Sequence, residues 1–121
     1  GLWDSKTLIS EPALVGGWFA APPNKERQSF IKNYQEMFGI LPPRLATLAY
    51  DATALAAIFV KPYGRFDPSE ILVPEGFGGR DGIFRFSSQG HKNRGLSIYQ
   101  VEKKGVKVIE KAPTSFKNPT N

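Results

Sequence analysis

Residues 44–60 read RLATLAYDATALAAIFV, a run in which alanine and leucine fall on every side of a helix. A helix that is apolar all round is buried on more than one face. This segment is therefore predicted to be a buried helix at the structural centre of the chain, with small alanine side chains that permit close approach to a sheet or another helix. Because so short a chain supplies few neighbours, we expect something larger to enclose this helix.

A second helix is predicted just upstream, and Pro42-Pro43 prevents it from continuing into residues 44–60. Asn24 stands where an N-cap residue is expected, and Gly39 is suited to the left-handed conformation that ends a helix. The apolar stripe between them has the spacing of an amphipathic helix. Its members are Phe30, Ile31, Tyr34, Met37 and Phe38.

Short apolar runs elsewhere predict strands. One strand is predicted before the helices, over residues 15–20, and three after them, over residues 83–86, 96–102 and 106–109, the last two forming a hairpin. Between the helices and these three strands, Asp67-Pro68-Ser69-Glu70 has the signals of a short helix start. The order predicts an α/β fold with an antiparallel C-terminal part.

The segments between these elements are predicted to be irregular. We assign residues 76–82 to a glycine-rich loop leading into a strand, residues 87–95 to a polar turn and residues 112–121 to a loose tail. A phosphate-binding role for the glycine loop is the weaker alternative, since no helix and no Gly-Lys-Ser/Thr follow it.

Composition limits the function classes. The chain has 121 residues, no cysteine and a formal net charge of +5, which fits one domain without disulfides or zinc–thiolate sites. No apolar run reaches the roughly 18 residues of a membrane span. Lysines concentrate after Arg80; we interpret them as a solvated face on exposed hairpins rather than as a nucleic-acid footprint, because no nucleic-acid motif accompanies them.

Few residues are candidates for chemistry. Asp51, a carboxylate inside the apolar helix, is expensive to bury unless paired or hydrogen-bonded. It either binds a ligand ammonium or acts as a base, or, as we prefer, it accepts from backbone N–H groups of a loop or pairs with an arginine. His91 reads as an exposed loop residue, Trp18 as core and Trp3 as a wall for a ligand. The sequence predicts no catalytic residues, no metal site and no cofactor.

Three motifs occur in order along the chain. They are Gly16-Gly17-Trp18-Phe19-Ala20-Ala21-Pro22, then Ala49-Tyr50-Asp51-Ala52 after Phe38-Gly39 and Pro42-Pro43, then Phe77-Gly78-Gly79-Arg80-Asp81-Gly82-Ile83-Phe84-Arg85-Phe86 followed by Gly90 and Leu96 to Val101. In this order and spacing they resemble the C-terminal region of type 1 periplasmic binding proteins, the leucine/isoleucine/valine-binding class, over nearly the whole chain. Together, Gly1-Leu2-Trp3-Asp4 and Gly17-Trp18-Phe19-Ala20 are similar to a proteobacterial subgroup of penicillin-binding-protein activators or amino-acid receptors.

The resemblance implies two α/β lobes joined by three crossovers, which close on a ligand at the hinge. Residues 1–121 would be the C-terminal segment of that domain and would contribute to both lobes. The resemblance places four residues at the ligand cleft: Leu2, Trp3, Arg44 and Leu45. Separately from the resemblance, we assign structural roles to Tyr50, Asp51 and Gly82.

The implied function is that of a periplasmic receptor of an ABC transport system, which binds an amino acid or a related small polar ligand and presents it to a permease. Such a protein is not an enzyme and binds no nucleic acid. The alternative is a cell-envelope interaction protein that activates a peptidoglycan synthase with the same fold. A lipoprotein signal in the upstream sequence would show that the full-length protein carries a lipid anchor. The isolated chain is expected to pair with the missing part of its fold or with another copy.

Overall fold

The computed structural model describes residues 10–43, 45–63 and 67–116. These contain two α-helices, α1 (Asn24–Phe38) and α2 (Ala46–Tyr63), and two short 3₁₀ helices, Pro12–Leu14 and Pro68–Ile71. The strands are β1 (Trp18–Ala21), β2 (Phe77–Gly79), β3 (Gly82–Phe86), β4 (Lys92–Arg94), β5 (Ser97–Glu102) and β6 (Gly105–Glu110). The predicted mixture of helices and antiparallel strands is confirmed.

The strands form two three-stranded antiparallel sheets, with the orders β1-β5-β6 and β2-β3-β4. In the first sheet Trp18 lies opposite Gln100 and Ala21 opposite Ser97. Pairing between strands so distant in sequence places both helices and the whole second sheet within one long connection. In the second sheet β3 is central and joins β2 through the turn at Arg80 and Asp81.

Two of the strands lie where a loop and a polar turn were predicted, and those assignments are wrong. Strand β2 has the sequence Phe-Gly-Gly and β4 the sequence Lys-Asn-Arg. Neither contains the alternating β-branched or aromatic residues that identify a strand. Both are three residues long and lie at the edges of their sheet, so they are held by backbone pairing to β3.

The first strand begins at Trp18, not at residue 15 as predicted. Gly16 has a φ of 90°, outside the range of a strand, and the Gly17 N–H donates to Leu14 O at 2.9 Å. The prediction that Trp18 lies in the core is also wrong, because its side chain is 69% exposed. Strand alternation turns Phe19 inward instead, where its ring stacks on Tyr99 with centroids 5.4 Å apart.

Helix α1 differs from the prediction at its start and agrees at its end. Pro23, with an extended ψ of 142°, occupies the N-cap position, so Asn24 is already helical and is not the N-cap. Gly39 has a φ of 71°, and its N–H donates to Gln35 O at 2.8 Å. A left-handed residue here suits glycine because it has no Cβ, and the predicted C-terminal end is confirmed.

Helix α2 begins two residues after the predicted start and runs three residues beyond Val60. It was predicted to be buried, yet the described chain covers only part of it: Ile58 is 62% exposed, and Ala52, Ala56 and Ala57 are exposed as well. Among residues 46–60 of this helix, whose burial the structure describes, the buried residues are polar, Thr47 and Asp51. In the described ranges, no helix has both the length and the apolarity that crossing a membrane requires.

The core of the described residues lies on the strands, not on the helices. The buried apolar side chains there are Phe84 of β3 and Tyr99 and Val101 of β5. Within the long helix, burial is instead concentrated on the face that meets the turn between β2 and β3, and that contact is the candidate site described next.

Candidate functional site

The best-defined polar site in the described residues is the contact between the first half of α2 and the turn after β2. We call it the junction and define it by Thr47 and Asp51 of α2 and by residues 79–82 of the turn. Thr47 and Asp51 are four residues apart and therefore lie on the same face of the helix. Both are nearly fully buried, with 2% and 7% of their surface exposed.

Asp51 is placed as a hydrogen-bond acceptor for the turn. Its Oδ1 accepts from the backbone N–H of Arg80 at 2.8 Å. Gly79 makes this approach possible, because a Cβ at that position would meet the Asp51 carboxylate and come within 3.0 Å of the Phe84 ring. The sequence analysis offered several partners for Asp51, and the geometry matches one of them. The carboxylate accepts from a backbone N–H of a loop, which is the N–H of Arg80.

Thr47 makes the second hydrogen bond of the junction. Its Oγ1 donates to Asp81 Oδ2 at 2.7 Å, and Asp81 is only 6% exposed. From the other side, the guanidinium of Arg94 on β4 donates to the backbone oxygen of Asp81 at 3.1 Å. The turn is therefore tied to α2 and to the edge of its own sheet. Sequence reasoning missed Thr47 and Asp81; the four-residue spacing of two polar residues in an apolar helix was the available signal.

Gly82 ends the turn with a φ of 86°, a conformation that residues with a Cβ rarely adopt. A Cβ at Gly82 would also lie 2.9 Å from Cδ of Pro23, next to the start of α1. The turn therefore packs closely against both helices, and glycine at this position is required by conformation and by space.

The side chains of Arg80 and Tyr50 form a cationic and aromatic rim at the edge of the junction. Arg80 Nη2 donates to the Tyr50 hydroxyl at 3.3 Å, and the guanidinium lies 5.1 Å from the centre of the Tyr50 ring. The hydrogen bond to Tyr50 raises the pKa of Arg80 above its ordinary value, and the nearby Asp51 carboxylate raises it further. Phe30 of α1 meets Tyr50 edge to face at 5.4 Å, which links the two helices.

Two hollows adjoin this rim. One, of about 350 Å³, lies between α2 and β2 and includes Tyr50, Asp51, Ile58 and Arg80 in its lining. The other, of about 470 Å³, is a largely apolar groove between α1 and α2. Its lining includes Phe30, Tyr34, Met37, Phe38, Tyr50 and Arg80. Both hollows have apolar walls, and Arg80 lines part of each.

Of the four residues predicted at a ligand cleft, the structure describes one. Leu45 precedes the first turn of α2, its side chain is 68% exposed, and its backbone oxygen accepts from the N–H groups of Leu48 and Ala49 at 3.1 and 3.2 Å. Leu2, Trp3 and Arg44 lie outside the described residues. Leu45 therefore stays a predicted ligand contact, and it lies at the end of α2 held by the junction.

The remaining polar candidates show no catalytic arrangement within the described ranges. His91 is exposed, and its backbone N–H donates to Ser87 Oγ at 3.1 Å. No group of three or more possible metal ligands is found among the described residues. Lys92, Lys103, Lys104, Lys107 and Lys111 are all exposed. Their positions on β4, on the β5–β6 hairpin and directly after β6 match the predicted solvated face.

Residues 112–121, predicted to be a loose tail, are described up to Phe116. The backbone N–H of Ala112 donates to the buried Ser97 Oγ at 2.9 Å. The guanidinium of Arg85 lies 4.7 Å from the centre of the Phe116 ring and donates to the Pro74 oxygen at 3.1 Å. The described part of this segment thus has defined contacts with β3 and β5, and residues 117–121 lie outside the described ranges.

No family model and no curated protein matches the sequence. Two solved structures are similar to the chain. A protein assigned to branched-chain amino acid ABC transport in Rhodospirillum rubrum has a TM-score of 0.67 and 22% identity, and the match covers 87% of this chain and 34% of that protein. The leucine-binding protein LivK of Thermotoga maritima has a TM-score of 0.54 and 26% identity, with 87% and 33% covered. The chain thus spans about a third of the length of either protein.

Proposed function

Since this chain has a type 1 periplasmic-binding-protein-like fold, as its sequence predicts, we propose that it is part of the solute-binding receptor of an ABC transport system and that the solute is an amino acid. The observation that carries the proposal is the structural match over 87% of the chain to a protein of branched-chain amino acid transport. The second similar structure is described as a leucine-binding protein. The proposed role is binding without catalysis, in the periplasm.

In this proposal residues 1–121 are the C-terminal segment of a two-lobed domain, and the ligand cleft is completed by the rest of that domain. Leu2, Trp3, Arg44 and Leu45 face the ligand, which is then handed to a permease. The exposed position of Leu45 at the start of α2 supports this placement. The alternative of a synthase activator has no support in the described contacts or in the two similar structures.

The proposal is tested by titrating L-leucine, and then each of the other amino acids, into the full-length protein by calorimetry. We expect saturable binding of at least one of them. Leu45→Ala should weaken that binding about tenfold to a hundredfold, because burying a leucine side chain against a ligand contributes about 1.5–3 kcal/mol. Val108→Ala, an exposed change on β6, should leave it within about twofold. A full-length protein that releases no heat with any amino acid would refute the receptor role.

A second test concerns the incompletely covered helix α2. Contiguous exposed apolar surface favours association, so we expect the isolated 121-residue chain to pair with another copy through α2 and to dissociate when the rest of the domain is supplied. Light scattering over a dilution series measures the mass of the isolated chain and so shows whether it is paired. Ile58→Glu should abolish pairing because it puts a charge on the apolar face, whereas Lys107→Glu on β6 should not. A single-chain mass at every concentration would contradict the expectation.

A further inference from the structure

The junction fixes α2 in two ways at once. Thr47 and Asp51 are one helical turn apart, and they bond to Asp81 and Arg80, consecutive residues of the same turn. Rotating α2 would carry both side chains away from the turn, and sliding α2 along its axis would part both pairs of atoms. Two hydrogen bonds at this spacing therefore define the rotation and the height of the helix together.

Close packing of α2 against the turn does not by itself require polar side chains at positions 47 and 51. The rest of α2 is almost entirely apolar, and burying the polar groups of Thr47 and Asp51 in it has a cost that is offset only through their hydrogen bonds to the turn. Asp51 and Asp81 each use one carboxylate oxygen at the junction, while Asp51 Oδ2 and Asp81 Oδ1 are buried without a hydrogen-bond partner in the described ranges. A buried polar contact of this kind adds little net stability, whereas it can fix one geometry of the groups that it joins.

The part of α2 that the junction holds is the part that carries Leu45. Leu45 lies two residues before Thr47, and its backbone oxygen accepts the hydrogen bonds that begin the helix. Any displacement of Thr47 relative to the turn is therefore passed directly to Leu45. The far end of α2 has a different anchor, an edge-to-face contact between Phe59 and Phe77 at 5.8 Å.

From this geometry we infer that Thr47 and Asp81 are positioning residues for the ligand site. The inference rests on the proposed function: the hydrogen bond between them sets the start of α2, and through it the place of Leu45 against an amino-acid ligand. Thr47 and Asp81 do not touch the ligand. Their effect on binding is transmitted through the first turn of the helix.

The test compares Thr47→Val with Thr53→Val in the full-length protein. Thr53 is on the same helix, but it is exposed, and its hydroxyl donates to Ala49 O at 2.9 Å within the helix. Thr47→Val removes the hydroxyl at nearly constant shape and leaves Asp81 Oδ2 unpaired. We expect about tenfold weaker binding of L-leucine and about tenfold faster amide exchange over residues 45–51. Thr53→Val should change both by less than about twofold.

Two further variants keep the test decisive. Thr47→Ser restores a hydroxyl and should recover most of the lost affinity and amide protection. If Thr47→Val fails to fold, Asp81→Asn takes its place, because it keeps the side-chain shape and one acceptor oxygen while removing the charge. It should shift binding and exchange in the same direction by a smaller factor.

The outcomes separate this inference from the proposed function. Faster exchange together with weaker leucine binding supports both. Faster exchange with unchanged binding overturns the positioning role and leaves the receptor proposal standing. If Thr47→Val changes neither quantity, the junction does not set the start of α2 and the inference is wrong. If the unmodified protein binds none of the amino acids, the receptor proposal fails and the positioning role falls with it.

Discussion

Phe84→Ala is expected to lower the free energy of unfolding by about 3–5 kcal/mol, the usual cost of truncating a buried phenylalanine. Phe84 is 5% exposed and lies at the centre of β3. Its ring is 5.8 Å from each of Phe77 and Phe86, and the guanidinium of Arg94 lies 5.4 Å from its centre. Truncation leaves a cavity among these groups and removes the surface against which they pack.

Urea unfolding followed by circular dichroism measures this loss, with Phe38→Ala as the matched control. Phe38 is also an aromatic residue in contact with another ring, at 4.6 Å from Tyr34, but it is exposed at the end of α1. Its truncation should cost about 1 kcal/mol or less. Since a small domain has a stability of about 5–15 kcal/mol in total, the difference between the two variants is large. Equal losses would show that Phe84 is not at the centre of the core.

Local signals in the sequence were sufficient for the long elements. The apolar stripe on α1 and Gly39 at its end can be recognised from one segment of sequence. Helix periodicity and a left-handed C-terminal residue both depend on near neighbours. The same holds for the β5–β6 hairpin, whose apolar residues flank a two-residue turn at Lys103 and Lys104. Three features that depend on distant partners were predicted wrongly. Strands β2 and β4 exist because β3 lies between them, and Trp18 is exposed because no described element covers that face of β1.

In the candidate site too, local features could be predicted from the sequence, whereas contacts with distant partners could not. Asp51 was conspicuous in the sequence because a carboxylate in an apolar helix needs a partner. Its partner proved to be a backbone N–H 29 residues away, and the pair of Thr47 and Asp81 is separated by 34 residues. Nothing local specifies contacts of this length. The four-residue spacing of Thr47 and Asp51, which sequence reasoning missed, marks one face of α2 as polar, but the partner of that face is given only by the fold.

Gly79→Ala is the second change with a large expected effect, because it acts on the junction through space and not through backbone conformation. Glycines with positive φ are found at other positions, and Gly79 is not one of them, so alanine is compatible with its backbone. A Cβ there would nevertheless meet the Asp51 carboxylate and approach Cε1 of Phe84 to 3.0 Å. Neither neighbour can yield easily, since Asp51 is held by the Arg80 N–H and Phe84 is packed among aromatic rings.

We expect Gly79→Ala to lower the free energy of unfolding by about 2–5 kcal/mol. Part of this loss comes from overpacking a filled site, and part from separating the buried Arg80 N–H from the Asp51 carboxylate. Gly78→Ala is the matched control one residue earlier in β2, where a Cβ would have nothing within 4 Å; it should be neutral or slightly stabilising, because alanine restricts the unfolded chain. Urea unfolding and amide exchange at Arg80 distinguish the two. If Gly79→Ala were as stable as Gly78→Ala and kept the Arg80 amide protected, the close approach of α2 to the turn would be refuted, and with it the contact from which we infer the positioning of Leu45.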